Sequence, residues 1–377
     1  VKDNRIVYEL FGEPNLNSVQ DVLNILQRSG VRNPETGELL DSTDKKLLSQ
    51  SDHPIVKALL SYRNNFKIHS TYTESLRQFV NPFTQRIHST FNQIGAPTGR
   101  FSSTSPNIQN LPRTSEFRKL FRASKGYKLI VADYSQIEVR VSACISKDQE
   151  LISIFRNKQD LYKSVASKIY EIPYDEVTKE VRQRCKAVVL GFQYGMGAKK
   201  FKTYFNGFGQ EEIDVEQSEE IRKAFFSKFQ GLEQWHNRVK NATRSNARVF
   251  KTFSLYGRRR LFTDRQSLSF SAMVNSPVQG TSADITKYAL IYLHQYLSVI
   301  NRLYQDAVNQ HKKDAPLPLR KAAIIVNCVH DEVILEVAEE LAESLRPLIN
   351  WLMEFPAIEV MKDVPVTVES SVVDSWA

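Results

Sequence analysis

Two short stretches carry carboxylates in settings suited to chemistry, and they lie about half the sequence apart. In the first, Leu129-Ile130-Val131-Ala132 runs into Asp133-Tyr134-Ser135-Gln136-Ile137-Glu138. In the second, Ile324-Ile325-Val326-Asn327-Cys328-Val329 leads to His330-Asp331-Glu332 and on into Val333-Ile334-Leu335. Each apolar, β-branched run reads as a buried strand that delivers an acid at its end. The second stretch reads as a hairpin with the acids at its tip. A sheet that pairs the two would bring Asp133 and Asp331 together. Two aspartates held that close need a partner for their charge, and a divalent metal is the usual one. Taken singly, the stretches admit plainer readings: Ser135-x-x-Glu138 fits a capping box, and His330-Asp331 fits polar turn residues.

Two further stretches could bind a charged partner. Arg182, Lys186, Leu190 and Tyr194 follow at four-residue spacing and end at Gly195-Met196-Gly197. Residues four apart share one stripe of a helix. Two cations, an apolar residue and an aromatic suit a nucleotide laid along that stripe, with triphosphate on the cations and base and sugar on Leu190 and Tyr194. The stripe alone also fits an amphipathic helix with a solvated cationic edge. The run from Thr98 to Pro112 is loop-like, rich in Ser, Asn and Pro, and its Arg100, Asn107 and Gln109 can donate to phosphates and minor-groove acceptors.

Asp133 to Glu138 and Val329-His330-Asp331-Glu332 resemble the first and third palm motifs of family A DNA polymerases. The resemblance extends from about Asn15 onward. It implies an α+β right-hand polymerase with an antiparallel-sheet palm, helical fingers and a helical, truncated thumb. Residues 1–90 would be thumb-like, 91–150 the first part of the palm, 151–267 the fingers and 268–377 the second part of the palm. The implied function is template-directed addition of dNTPs to a primer 3′-hydroxyl on primer-template DNA, by two-metal phosphoryl transfer and without proofreading in this chain. Asp133 and Asp331 would bridge two Mg²⁺ ions, with Mn²⁺ as a substitute, the Tyr134 carbonyl as a further ligand and Glu332 as a supporting carboxylate. Gln136, Glu138, Tyr162, Arg182, Lys186, Leu190 and Tyr194 would surround the nucleotide. Arg100, Asn107, Gln109, Asn275, Gln279, His330, Arg258 and Arg259 would meet DNA, with Arg113, Arg118, Lys119 and Arg122 adding charge along the approach.

Glu138 would gate the ribose 2′-hydroxyl, held by the Tyr194 hydroxyl. It counts against the first alternative, a single-subunit phage-type RNA polymerase. An inactive DNA-binding module is the second. Two positions depart from the family pattern. Counting back without gaps from Lys186, Tyr162 stands where a triphosphate-holding histidine is usual, and Leu190 replaces an aromatic.

The elements that must position these residues are legible in outline. Asn17-Ser18 caps a helix with an apolar stripe at Val19, Val22, Leu23 and Leu26, and a second helix covers Pro54 to about Phe66. Arg63, Lys67, His69, Thr71 and Tyr72 form a basic, hydroxyl-rich stretch. The chain reads as helical from Val139 to about Tyr170, broken at Ile172-Pro173. Phe201, Tyr204, Phe205, Phe225, Phe226 and Phe229 read as core. Tyr256-Gly257-Arg258-Arg259-Arg260 reads as a tight turn offering a phosphate clamp. A long helix follows to about Tyr304, then a surface loop over 309–320, a closing helix over 338–355 and an edge strand over 364–373.

At 377 residues the chain can bury a large core. Lys and Arg outnumber Asp and Glu by 51 to 42, a net charge of +9 that suits a polyanionic partner. Cys144, Cys185 and Cys328 are too scattered for a disulfide framework or a zinc site, which points to a reducing compartment. No run is long and apolar enough for a membrane span, and no signal peptide is visible. The resemblance implies a monomer in the cytoplasm, with an organelle as the alternative. The first residue is Val rather than Met, and the sequence reads as a fragment of a longer chain.

Overall fold

The computed structural model describes residues 15–34, 36–70, 75–112, 115–207, 212–244, 249–263, 268–311 and 321–376. It divides into two units between Thr90 and Phe91. In the first, α1 (Val19–Arg28) is capped by Ser18, whose hydroxyl accepts from the Asp21 N–H at 3.3 Å. Its buried face, Val22 and Leu26, packs with Leu40, Leu48 and with Val56 and Leu59 of α2 (Pro54–Lys67). Arg63 is not left for a partner: it donates to the Thr43 carbonyl and hydroxyl at 2.7 and 3.2 Å. Thr71 and Tyr72 lie outside the described residues, as does the opening segment.

The second unit is built on a four-stranded antiparallel sheet. It contains β1 (Tyr127–Tyr134), β4 (Ala323–Val329), β5 (Glu332–Ala338) and β6 (Val368–Val373), in the order β4-β5-β1-β6. A separate ribbon pairs β2 (Phe250–Phe253) with β3 (Arg259–Phe262) around Gly257. The two carboxylate strands do pair, with Tyr127 opposite Ala338 at one end and Asp133 opposite Glu332 at the other. β6 is an edge strand, as expected, but it begins at Val368 rather than at residue 364. β5 lies inside the sheet and is buried from Val333 to Ala338. Its one acid there, Glu336, is 3% exposed and accepts from the Ser124 N–H at 2.7 Å.

The helical reading from Val139 to Tyr170 needs correction, because the stretch is three helices: α3 (Ile137–Ser146), α4 (Gln149–Arg156) and α5 (Leu161–Tyr170). Asp148 and Asp160 end the continuity by accepting from the Leu151 and Lys163 N–H groups, each at 2.9 Å, as N-caps do. Next come α6 (Lys179–Gln193), α7 (Ala198–Asn206), α8 (Val215–Lys228) and α9 (Gln230–Thr243). Phe192 packs against Phe201, Phe225 and Phe226 with centroids 4.2, 5.6 and 6.2 Å apart, and Phe205 and Phe229 are buried with them. Tyr204 lines this core only half-buried.

The long helix α10 (Phe270–His311) outruns the expected Tyr304 end and takes in Asn309 to His311, which the sequence reads as loop. The remainder of that loop, 312–320, lies outside the described residues. The closing helix α11 (Ala342–Val360) starts later than residue 338, which still belongs to β5. It packs on β1, β6 and α10, and the buried Tyr134 hydroxyl donates to its Met353 carbonyl at 2.6 Å. No helix among the described residues is long and apolar enough to cross a membrane. All three cysteines are free thiols.

Asp148 joins two of these elements, because its second carboxylate oxygen accepts from the Leu232 N–H of α9 at 3.0 Å while the residue is 1% exposed. Asp148→Ala is expected to lower stability by about 3 kcal/mol through the lost cap and the stranded amide. Urea unfolding checks this, and an unchanged midpoint would show the link to be idle.

Candidate active site

The β1–β5 register fixes where the acids stand. β4 and β5 are joined by His330 and Asp331 alone, with His330 in the left-handed region at φ 59°. Histidine is among the residues that tolerate that region. Asp331 therefore immediately precedes the residue that faces Asp133. Asp133 is exposed and Asp331 half-buried. Both offer hard oxygen donors of the kind Mg²⁺ takes. Among the described residues, no three His, Cys, Asp or Glu gather closely enough to enclose an ion by themselves. Mg²⁺ is commonly held by one or two carboxylates together with substrate phosphates. The Asp133 and Asp331 pair, with the Tyr134 backbone beside it, fits that open kind of site.

Glu332 stands differently. Its Oε1 accepts from the Trp376 indole N–H at 2.8 Å and its Oε2 from Arg118 Nη1 at 3.3 Å, so both oxygens are occupied by protein donors.

The corner after β1 is pinned from below. Gln136 sits at the N-terminus of α3 with φ 53° and caps nothing, so the capping-box reading of Ser135 and Glu138 fails. Its buried Oε1 has no hydrogen-bond partner, which leaves an acceptor at the site. Arg140 holds the corner by donating to the Ser135 carbonyl at 2.7 Å and to Thr367 Oγ1 at 3.0 Å, with its guanidinium over the Phe155 ring. Burial lowers its pKa to about 10. Arg140 was missed from the sequence, although an arginine set between the apolar Val139 and Val141 is a visible signal.

Glu138 is the second correction. Its carboxylate is paired with Arg100, and the expected bond from Tyr194 is not formed. Burial raises its pKa, the Arg100 charge opposes that rise, and Asp331 adds to it. The structure thus joins a residue expected at the primer end to one expected at the sugar.

The α6 stripe is open to solvent in part. Arg182 and Leu190 are half-buried and Lys186 is exposed, whereas Cys185, Val188, Val189 and Phe192 on the other faces are buried. Tyr194, half-buried, ends the helix. Tyr162 lies under Arg182, its ring centroid 5.1 Å from the guanidinium carbon, and Asp160 accepts from Arg182 Nε at 2.8 Å. Burial raises the pKa of the Tyr162 phenol, and the Arg182 charge opposes that rise. Gly195, at φ 72°, presses on the Phe270 ring so closely that a Cβ would collide with it, which locks the end of α6 to the start of α10.

The expected DNA contacts divide. Asn107 is exposed, and its Oδ1 accepts from Ser103 Oγ at 3.1 Å. Gln109 is instead 7% exposed, with its amide donating to the Cys328 carbonyl at 3.3 Å, which makes it a strut between the loop and β4. Asn275 donates to Ser271 Oγ at 3.2 Å, and Gln279, one turn on, is half-buried. Arg258 is no open clamp: its Nε donates to the 4%-exposed Asp284 at 2.8 Å, and Gly99 leaves room for it. Asp284, an acid inside an apolar helix, is the missed partner. Arg259 is exposed on the ribbon. Arg113 lies outside the described residues.

Residues 2–377 match the family model for DNA polymerase family A. The chain is 34% identical over 338 residues to DNA polymerase I of Aquifex aeolicus, covering 89% of this chain and 54% of that protein. It is 33% identical to the thermostable DNA polymerase I of Thermus filiformis, covering 98% of this chain and 42% of that one. Among solved structures, the POL domain of Pol1 from M. smegmatis, in complex with DNA primer-template and dNTP, superposes with a TM-score of 0.79 at 31% identity. That match covers 99% of this chain and 63% of the other. The chain thus spans about half or less of the curated relatives' lengths, and its α+β fold is that of the polymerase portion. On its sequence and its fold, this chain belongs to DNA polymerase family A.

Proposed function

We propose that the chain extends a primer 3′-hydroxyl on a DNA template with dNTPs, acting as a cytoplasmic monomer without proofreading of its own. The observation that carries the reading is the β1–β5 register, which sets Asp133 beside the Asp331 turn within reach of the Arg100–Glu138 pair. Residues 91–150 and 268–377 would act as palm, 151–267 as fingers and 1–90 as a thumb-like grip on the duplex.

Asp133, Asp331 and the Tyr134 carbonyl would hold two Mg²⁺ ions, or Mn²⁺ in their place. When bound, these neutralise the triphosphate and ease ionisation of the 3′-hydroxyl. Arg182 and Lys186 bind the triphosphate, and Asp160 occupies only the Nε edge of Arg182, aiming its terminal nitrogens at phosphate. Tyr162 supports that guanidinium with its ring. Leu190 and Tyr194 form the wall against sugar and base, and Gln136 offers its buried acceptor nearby. Glu138 excludes a 2′-hydroxyl. Its pairing with Arg100 gives way as the primer end arrives and Arg100 turns to the minor groove beside Asn275, Gln279 and His330. Asn107 and Arg259 meet template and backbone.

Primer extension with dNTPs or NTPs, with and without Mg²⁺, tests the reading. Extension should require dNTPs and Mg²⁺ together. Asp133→Ala and Asp331→Ala should each lower extension by at least about a hundredfold while DNA affinity stays nearly unchanged, since grip on the duplex comes from Arg and Lys. Activity near the parent's in either variant would refute the assignment.

Purified 1–377 should release no 3′-terminal nucleotides in Mg²⁺, and release would reveal an overlooked exonuclease site.

Leu190 generates a selectivity test. Leucine has no hydroxyl to replace the one missing from a dideoxynucleotide, and a half-buried side chain on the open stripe supports a role for Leu190 against the sugar. Leu190→Tyr should therefore improve dideoxynucleotide incorporation relative to dNTP by about tenfold, the worth of one hydrogen bond. Equal slowing of both substrates would show that Leu190 serves packing alone.

A further inference from the structure

The segment after β6 returns to the carboxylates. The Ala123 N–H donates to the Asp374 carbonyl at 3.0 Å, Arg122 bridges Ser375, and the Trp376 N–H donates to the Phe121 carbonyl at 2.9 Å. This short ladder carries the Trp376 indole, 2% exposed, to Glu332. Arg118 reaches the other carboxylate oxygen, and its guanidinium carbon lies 4.2 Å from the centroid of the Trp376 ring. Phe121 meets the same indole edge-on at 5.7 Å. Arg118 Nε is buried without a hydrogen-bond partner, so the arrangement is not the least costly way to bury this side chain.

The register explains what such a clamp prevents. Glu332 of β5 is directly opposite Asp133 on one side, as the exposed Glu369 of β6 is on the other, and side chains so placed share one face of the sheet a few ångströms apart; of the two, Glu332 is the one next to Asp331. Two carboxylates there repel, and a divalent cation would draw both in. A third acid beside Asp133 and Asp331 would raise affinity for the ion. A site that must release metal with pyrophosphate at each turnover is slowed by such tight retention.

We propose that Trp376 and Arg118 are positioning residues that hold the Glu332 carboxylate out of the metal site, so that Asp133 and Asp331 take up divalent cation without it. The proposal builds on the polymerase reading for its purpose, but its test does not depend on catalysis.

Mn²⁺ binding to the purified chain, followed by the loss of the free-ion electron paramagnetic resonance signal, is measured for four proteins: the parent, Trp376→Phe, Glu332→Gln and the double variant. Phenylalanine keeps a ring against Arg118 and Phe121 and removes the N–H donor together with the smaller ring of the indole. Trp376→Phe should bind Mn²⁺ about fivefold more tightly, Glu332→Gln should stay within about twofold of the parent, and the double variant should return to the parent value. A merely structural role for Trp376 would instead weaken binding and lower the melting temperature regardless of residue 332. Unchanged or weaker binding in Trp376→Phe, or tightening that persists in the double variant, overturns the proposal. Should Trp376→Phe not fold, Arg118→Lys, which breaks the guanidinium fork and leaves the segment after β6 intact, is read in the same way. Primer extension by the parent judges the polymerase reading separately.

Discussion

The fold of the second unit turns on one constraint: like charges must be delivered to a single edge of a sheet without driving its strands apart. The ladder from Tyr127 to Asp133 is apolar and tightly paired along most of its length, so its register cannot slip by one residue without turning a buried face to water. That rigidity is what lets the acids stand at its end. Tyr134 bonded to α11, and Arg140 bonded to the Ser135 carbonyl, hold the strand end from the side away from the acids. Arg118 and Trp376 balance Glu332, and Arg100 balances Glu138. The burial around the site thus serves to fix charges that would otherwise spread.

The cationic stripe of α6 follows a different logic. α6 is an amphipathic helix whose buried residues sit in the aromatic cluster around Phe192, while its remaining stripe is committed to no protein core. Its outer end is tied to α5 through Asp160 and its inner end to α10 through Gly195 and Phe270. A helix held at both ends by small, specific contacts, with its open stripe between them, can shift as one body.

The sequence was legible where local rules suffice. Strand runs with terminal acids, a two-residue turn, a four-residue helical spacing and an alternating edge strand each have a short-range cause, and each appears where its residues indicate. The failures have a common source. Asp148 and Asp160 are ordinary polar residues until their backbone neighbours require caps, and only the three-helix break shows why they are there. Gln109, Arg258 and Glu138 look like free hands in a sequence, yet Cys328, Asp284 and Arg100 occupy them. The partner of Gln109 lies 219 residues along the chain, those of Arg258 and Glu138 lie 26 and 38 residues away, and each sits on another element where spacing carries no information. Trp376 carried no signal at all, because a lone aromatic after an edge strand reads as packing.

The sheet has a temporal consequence as well. β1 pairs with strands on both sides that come from the far end of the chain, and Arg118 meets Glu332 across 214 residues. Every helix from α3 to α10 is an excursion between one strand and its partners. Closing so long a loop is entropically costly, and contacts of this range form late. The helical excursion can assemble as the chain is made, with β1 waiting as an unpaired apolar strand until residues beyond 323 arrive. During synthesis the strand that bears Asp133 is therefore the most aggregation-prone piece of this unit, and the site is the last part of it to exist.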